Sequence, residues 1–160
     1  MTKTEPLDFD IPKILETDQF RLRMLCEDDV EKDYEAVMAS IEHLHQTNPF
    51  GSNRKWPPKD FTIEENLAGL KLYQKEFEEK ASFIFTVISL DETRCLGCVY
   101  IYPSGNPDYD ALAIIWTRQS ELQNGLEEIL FSVVKNWIKE EWPFEKVAYP
   151  GRDISWEEYE

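Results

Sequence analysis

Few residues in this sequence have the types and spacing for chemistry. Cys95-Leu96-Gly97-Cys98 has the spacing of a metal-binding pair. It lies in an apolar, β-branched stretch, however, where residues three apart point to opposite faces of a strand. A bulge at Gly97 would bring the two thiols together, but no second cysteine pair or neighbouring histidine completes a zinc set. The expectation is core packing and no metal. His43 and His45 stand two apart near the end of a helical stretch, on different helical faces, and read as surface or loop-packing residues. Asp108 and Asp110 open an apolar strand, where a general base could sit. No Ser–His–Asp or Cys–His arrangement can be argued from the spacing, and the catalytic residues stay unassigned.

The stretch with the most content is a strand-to-helix junction, Trp116-Thr117-Arg118-Gln119-Ser120-Glu121-Leu122-Gln123-Asn124-Gly125-Leu126-Glu127. A strand that ends in a loop whose amides point forward from a helix start makes an anion site. Gly125 allows close backbone approach, and Arg118 adds one positive charge. If Asn124 caps the helix, Glu127 falls at its third position and folds back in a capping box. Any anion there would also face Glu121, Glu127 and Glu128, each repelling it by about 1 kcal/mol even when well solvated.

The elements that hold this junction are legible from periodicity. Phe20–Leu25 alternates apolar and basic residues, as a strand with one buried face does. Glu27-Asp28-Asp29 places acid at a helix start, and Val30, Tyr34, Val37, Met38 and Ile41 follow as one apolar stripe. Residues 46–60, rich in Pro, Asn, Gly and Ser, form a loop. Thr62 and Glu65 make a capping box for a helix carrying Ile63, Leu67, Leu70 and Phe77. Ser82–Ser89 and Cys95–Tyr102 pair as a hairpin across LDETR, and Tyr109–Thr117 is a third apolar strand. Leu126, Ile129, Leu130, Val133, Trp137 and Ile138 mark an amphipathic helix that Pro143 ends, before a short strand at Lys146–Tyr149. Trp156 and Tyr159, in an acidic tail, are expected at a solvated end or packed back on the sheet.

Composition bounds the rest. The 160 residues suit one domain, with 1–13 as a loose arm, and 42% hydrophobic content gives it a real core. A net charge of -15 argues against nucleic acid as a partner. No apolar run has membrane-spanning length and no signal peptide is evident, so a cytoplasmic address and no membrane partner are expected.

With the element order added, the chain resembles the GNAT (GCN5-related) N-acetyltransferase superfamily over roughly residues 14–149. LETDQFRLRML is similar to the first strand of many members, RCLGCVYIYP to the third, and IIWTRQSELQNGLEEILFSVVKNWI to the central strand, cofactor loop and following helix. The resemblance implies an α/β (α+β) fold with a mixed, mostly antiparallel central sheet flanked by helices. It also implies acetyl-CoA as cofactor, its pantetheine arm on Ile115, Trp116 and Thr117 and its pyrophosphate on Gln123, Asn124, Gly125 and Leu126. The family loop reads Gln/Arg-x-x-Gly-x-Gly/Ala; here only Gly125 survives, Leu122 replaces the polar residue, and Glu127 stands where a small residue should. The strands that usually follow Lys146–Tyr149 are absent. The implied activity is a divergent acyl-CoA-dependent N-acetyltransferase, acting on an amine whose positive charge suits an acidic surface. The alternative is an inactive GNAT-like binding or oligomerisation module that has lost acetyl-CoA. In that case a homodimer or other partner could cover the C-terminal sheet edge.

Overall fold

Alternating and apolar segments line up into one sheet whose spatial order follows chain order. The computed structural model describes residues 9–160. The strands are β1 (Ile14–Glu16), β2 (Arg21–Met24), β3 (Phe83–Ile88), β4 (Cys95–Pro103), β5 (Ala111–Thr117) and β6 (Val147–Ala148). Every neighbouring pair is antiparallel except β5 and β6, which run parallel. Helices α1 (Val30–Met38), α2 (Ile41–Thr47) and α3 (Ile63–Glu78) come between β2 and β3; α4 (Leu126–Glu141) joins β5 to β6, and α5 (Trp156–Tyr159) closes the chain. This is the mixed, mostly antiparallel sheet with flanking helices that the sequence predicts.

Two apolar layers sandwich the sheet. On one face Phe20, Leu22, Phe83, Phe85 and Ile115 meet Leu126, Leu130 and Trp137 of α4. Phe85 and Trp137 pack edge to face at 5.2 Å, and fully burying such a side chain contributes about 1.5–3 kcal/mol. On the other face Ile84, Tyr100 and Trp116 meet Val37, Leu44 and Leu70 from α1, α2 and α3. The capping box at α3 forms as read: Thr62 Oγ1 accepts from the Glu65 amide at 3.1 Å, and Glu65 accepts from the Thr62 amide at 3.2 Å.

Several readings change. β1 is an added edge strand that periodicity did not reveal. The apolar stripe from Val30 to Ile41 spans two helices, because α1 stops at Met38 and the Ser40 hydroxyl donates to the Ala36 carbonyl at 2.7 Å. His43 and His45 therefore sit on α2. Of the arm at 1–13, residues 1–8 lie outside the described residues; Phe9 packs edge-on against Trp142 at 5.7 Å.

The cysteine pair is a clear correction. Val87 faces Gly97 and Ile88 faces Cys95, so Leu96 is an extra residue in β4. That bulge turns Cys95 and Cys98 to the same face, in the layer that holds Tyr100 and Trp116. Gly97 beside it is required by closeness: a Cβ there would collide with the Trp116 carbonyl oxygen and lie 3.1 Å from the Thr117 Cα.

The tail is not solvated. Tyr159 is 8% exposed, and its hydroxyl meets Ser104 Oγ at 2.8 Å. Trp156 packs on the α1–α3 layer, so the two aromatics fold back over the sheet.

Candidate functional site

β5 and β6 pair only at Ala111–Val147 and Leu112–Ala148. β5 then runs on to Thr117 while the chain after β6 turns away, and a wedge opens between them. Residues alternate their backbone groups across a sheet, so Ile115 turns its carbonyl into the wedge and Trp116 turns toward β4. The side chains alternate too. Ile115 is buried under α4, whereas Trp116 is buried on the opposite face and its Nε1 donates to the Tyr100 hydroxyl at 3.0 Å.

The loop after β5 is a 3-10 helix, Gln119–Asn124, that reverses into α4 through Gly125 in the left-handed conformation (φ 73°). A residue without Cβ takes that conformation at little steric cost. Gly125 is the N-cap of α4, and no side chain caps the helix. The expected Asn124 cap is therefore wrong: Asn124 Nδ2 reaches Glu121 at 3.4 Å instead. Gln123 and Asn124 are exposed, and Leu126 is buried. With the capping box gone, the positive end of α4 keeps its dipole and its unpaired first-turn amides.

Glu127, freed from capping, points into the wedge. One carboxylate oxygen lies 3.1 Å from His43 Nε2, 3.4 Å from Thr117 Oγ1 and 3.3 Å from Arg152 Nη2. The same Arg152 nitrogen donates to the Ile115 carbonyl at 2.9 Å. Ile115, Thr117, Glu127, His43 and Arg152 thus meet at one point, drawn from β5, α4, α2 and the C-terminal segment. Sequence reasoning missed His43 and Arg152, since contacts between residues so distant in the chain leave no local pattern. Only Pro150-Gly151, a turn signal, hints that Arg152 is aimed.

Two charges of the loop itself, Arg118 and Glu121, are already matched. Arg118 forms a two-pronged pair with Glu35, which holds that carboxyl below the usual range. Burial pushes the Glu121 carboxyl up, but the Arg94 guanidinium and Asn124 outweigh it and leave it lowered. Asp110 is a strand pin: its carboxylate accepts from the Glu145 and Lys146 amides at 3.0 Å each, at the start of β6. Tyr149 packs against Phe131 of α4 at 5.3 Å, and burial raises its phenol.

A second cluster lies behind β4. Asp33, Cys95 and Cys98 are buried, with ligand-type atoms within 4.8 Å of one another. Cys98 Sγ donates to Asp33 at 3.3 Å and Asn66 Nδ2 donates to the other carboxyl oxygen at 3.0 Å. Asp33, Cys98 and Asn66 thus form a hydrogen-bonded core cluster, while Cys95 Sγ donates to the Gly97 carbonyl at 3.4 Å. Burial raises both the Asp33 carboxyl and the Cys98 thiol.

The overall arrangement of sheet and helices is matched in solved acetyltransferase structures. The chain has the GNAT acetyltransferase fold. A ribosomal-protein-S5-alanine acetyltransferase from Vibrio fischeri superposes with a TM-score of 0.66 at 16% identity, over 88% of this chain and 73% of that one. A ribosomal L7/L12 α-N-protein acetyltransferase in complex with coenzyme A gives 0.63 at 13%, over 79% and 67%. A microcin C7 self-immunity acetyltransferase in complex with acetyl-CoA and AMP gives 0.58 at 11%, over 78% and 66%. No family model and no curated protein sequence matches the chain. Among the described residues, no helix is long and apolar enough to cross a membrane.

The side chains of Arg152 and Glu127 fill the wedge. The cavity left between Thr47, Ile115, Glu127, Arg152 and Trp156 measures about 100 Å³, below the roughly 300–1,000 Å³ of ordinary ligand sites.

Proposed function

We propose that the chain is an acyl-CoA-dependent acyltransferase that transfers an acetyl group to an amine. The observation that carries this is the pairing of the β5–β6 wedge with the uncapped N-terminus of α4. An acyl-CoA would supply an activated thioester. This chain would supply the first-turn amide of Leu126 for the pyrophosphate, the turn at Gly125 and the exposed loop residues Gln123 and Asn124 beside it, and the edge of β5 at Ile115–Thr117 for the arm. An excess of acidic residues suits a cationic amine, whose approach the field of the protein would favour. The GNAT-fold neighbours named above are acetyltransferases, two of them with coenzyme A or acetyl-CoA bound.

Thermal unfolding in millimolar acetyl-CoA tests the reading, because a ligand that binds the folded state raises the melting temperature by mass action. A rise is expected for the wild type, and a larger one for Glu127→Gly, which removes the acid that points into the wedge. No rise in either would sink the proposal and favour a module that has lost the cofactor.

A further inference from the structure

The contents of the wedge belong to the chain itself. We propose that the C-terminal segment from Pro150 to Glu160 is a strap that closes the donor cleft, with Arg152 standing in for the pantetheine arm on the Ile115 carbonyl, so that acyl-CoA binds by displacing it. This inference rests on the acyl-CoA reading above.

The segment is shaped to deliver Arg152. Gly151 takes a left-handed φ of 84°, and its amide donates to the Ile154 carbonyl at 2.7 Å. The amides of Arg152 and Asp153 both donate to the Tyr149 carbonyl, at 3.0 and 3.2 Å. This tight turn directly after β6 throws the Arg152 side chain back toward β5, where its guanidinium lies 5.7 Å from the Phe131 ring centre. A backbone carbonyl on an unpaired strand edge needs a donor, and Arg152 provides it. An amide N–H of a pantetheine arm is a donor of the same kind, so the two compete for one acceptor.

Glu127 sets the electrostatic cost of the substitution. Its carboxylate is bonded to His43, Thr117 and Arg152, and Arg152 is the partner that always carries positive charge. When Arg152 withdraws, the carboxylate keeps its contacts with His43 and Thr117 but loses that cation, so the closed strap is favoured until a ligand offsets the loss. The far end of the strap is tied more firmly: Tyr159 bonds Ser104, and Asn106 Nδ2 donates to the Tyr159 carbonyl. Lys135 meets Asp153 at 3.2 Å with both side chains well exposed, a pair that holds weakly. The closed seat is also imperfect, because the buried Trp156 Nε1 finds no acceptor. A hinge at Gly151, a weak middle and an anchored end are what a displaceable strap requires.

The affinity of a site that is open only part of the time falls by the open fraction. The test measures acetyl-CoA binding by calorimetry on the full chain. Arg152→Ala is placed in a Glu127→Gln background, so that no bare carboxylate remains to repel the ligand. About tenfold tighter binding than Glu127→Gln alone is expected. Tyr159→Phe, which loses only the hydroxyl bond to Ser104, is expected to tighten binding by less. In wild type, hydrogen exchange at residues 150–160 should speed up when acetyl-CoA is added. Binding that is unchanged or weaker without Arg152, with no change of exchange in the segment, overturns the strap and leaves the donor site standing. If Arg152→Ala does not fold, Tyr159→Phe and the exchange measurement decide in the same directions. Absence of binding in every variant overturns the acyl-CoA reading, and the segment is then a permanent plug.

Discussion

His43 Nε2 on α2 and a Glu127 carboxylate oxygen at the start of α4 lie 3.1 Å apart, although 84 residues separate them in the chain. The contact ties the helical layer on one side of the sheet to the helix on the other, across the open end of the β5–β6 wedge. Because Glu127 also serves Thr117 and Arg152, it is the joint on which the site turns.

Replacing Glu127 by Gln should therefore weaken the fold as well as change the site. Charge-assisted hydrogen bonds of partly buried groups contribute about 1.5–3 kcal/mol. Urea unfolding of Glu127→Gln should show a loss in that range, and His43→Ala a smaller one. In a double-mutant cycle the two losses should fall short of additive, since each removes the same bond. Full additivity would mean that the pair is not coupled.

Two buried acids should give the stability opposite pH slopes. Burial pushes the Asp29 carboxyl up, but the Arg23 guanidinium, bonded at 2.8 and 2.9 Å, and the Cys26 amide hold it below the usual range. A depressed folded value gives stability that is present above the ordinary carboxylate pKa and is lost as pH falls through the folded one. Asp33 runs the other way: burial raises it, so its contribution is full below about pH 4 and is lost as pH rises through its raised value. Asp33→Asn should flatten the decline above pH 4 in urea midpoints, while Asp29→Asn should flatten the loss in acid. An unchanged slope in Asp33→Asn would show that this carboxyl is not held protonated.

Gly97→Ala should be among the most damaging single changes in the chain. The added methyl would strike backbone, the Trp116 carbonyl and the Thr117 Cα, which cannot rotate away as a side chain can. Overpacking of this kind costs about 1–3 kcal/mol or more, and the strand it would displace is β5, which carries the wedge. Circular dichroism melts should show a drop of several degrees or failure to fold, whereas Gly105→Ala, with open space around it, should be near neutral.

Asp110→Ala should loosen β6 without touching the wedge directly. Its carboxylate accepts the Glu145 and Lys146 amides, and losing them leaves a two-residue strand with fewer bonds to hold it. A loss of about 1–3 kcal/mol is expected, with faster hydrogen exchange at Val147 and Ala148. If exchange there is unaffected, the parallel pairing alone holds β6.

Much of this protein was written locally. The β3–β4 hairpin, the capping box of α3 and the amphipathic face of α4 each follow from residues near one another in the chain, where period and hydrogen-bond reach do the specifying. The junction from Trp116 to Leu126 could be located for the same reason. Other features could not be read, because their causes lie across the fold. The bulge at Leu96 that turns Cys95 and Cys98 to one face is set by the pairing of β4 with β3. Glu127 had a plausible local partner in Asn124, yet it turns inward because Arg152 and His43 arrive from elsewhere. Sequence fixes which groups are available and which elements carry them. Only tertiary packing decides which charges meet, since Coulomb and hydrogen-bond energies depend on distances of a few ångströms that chain order does not contain.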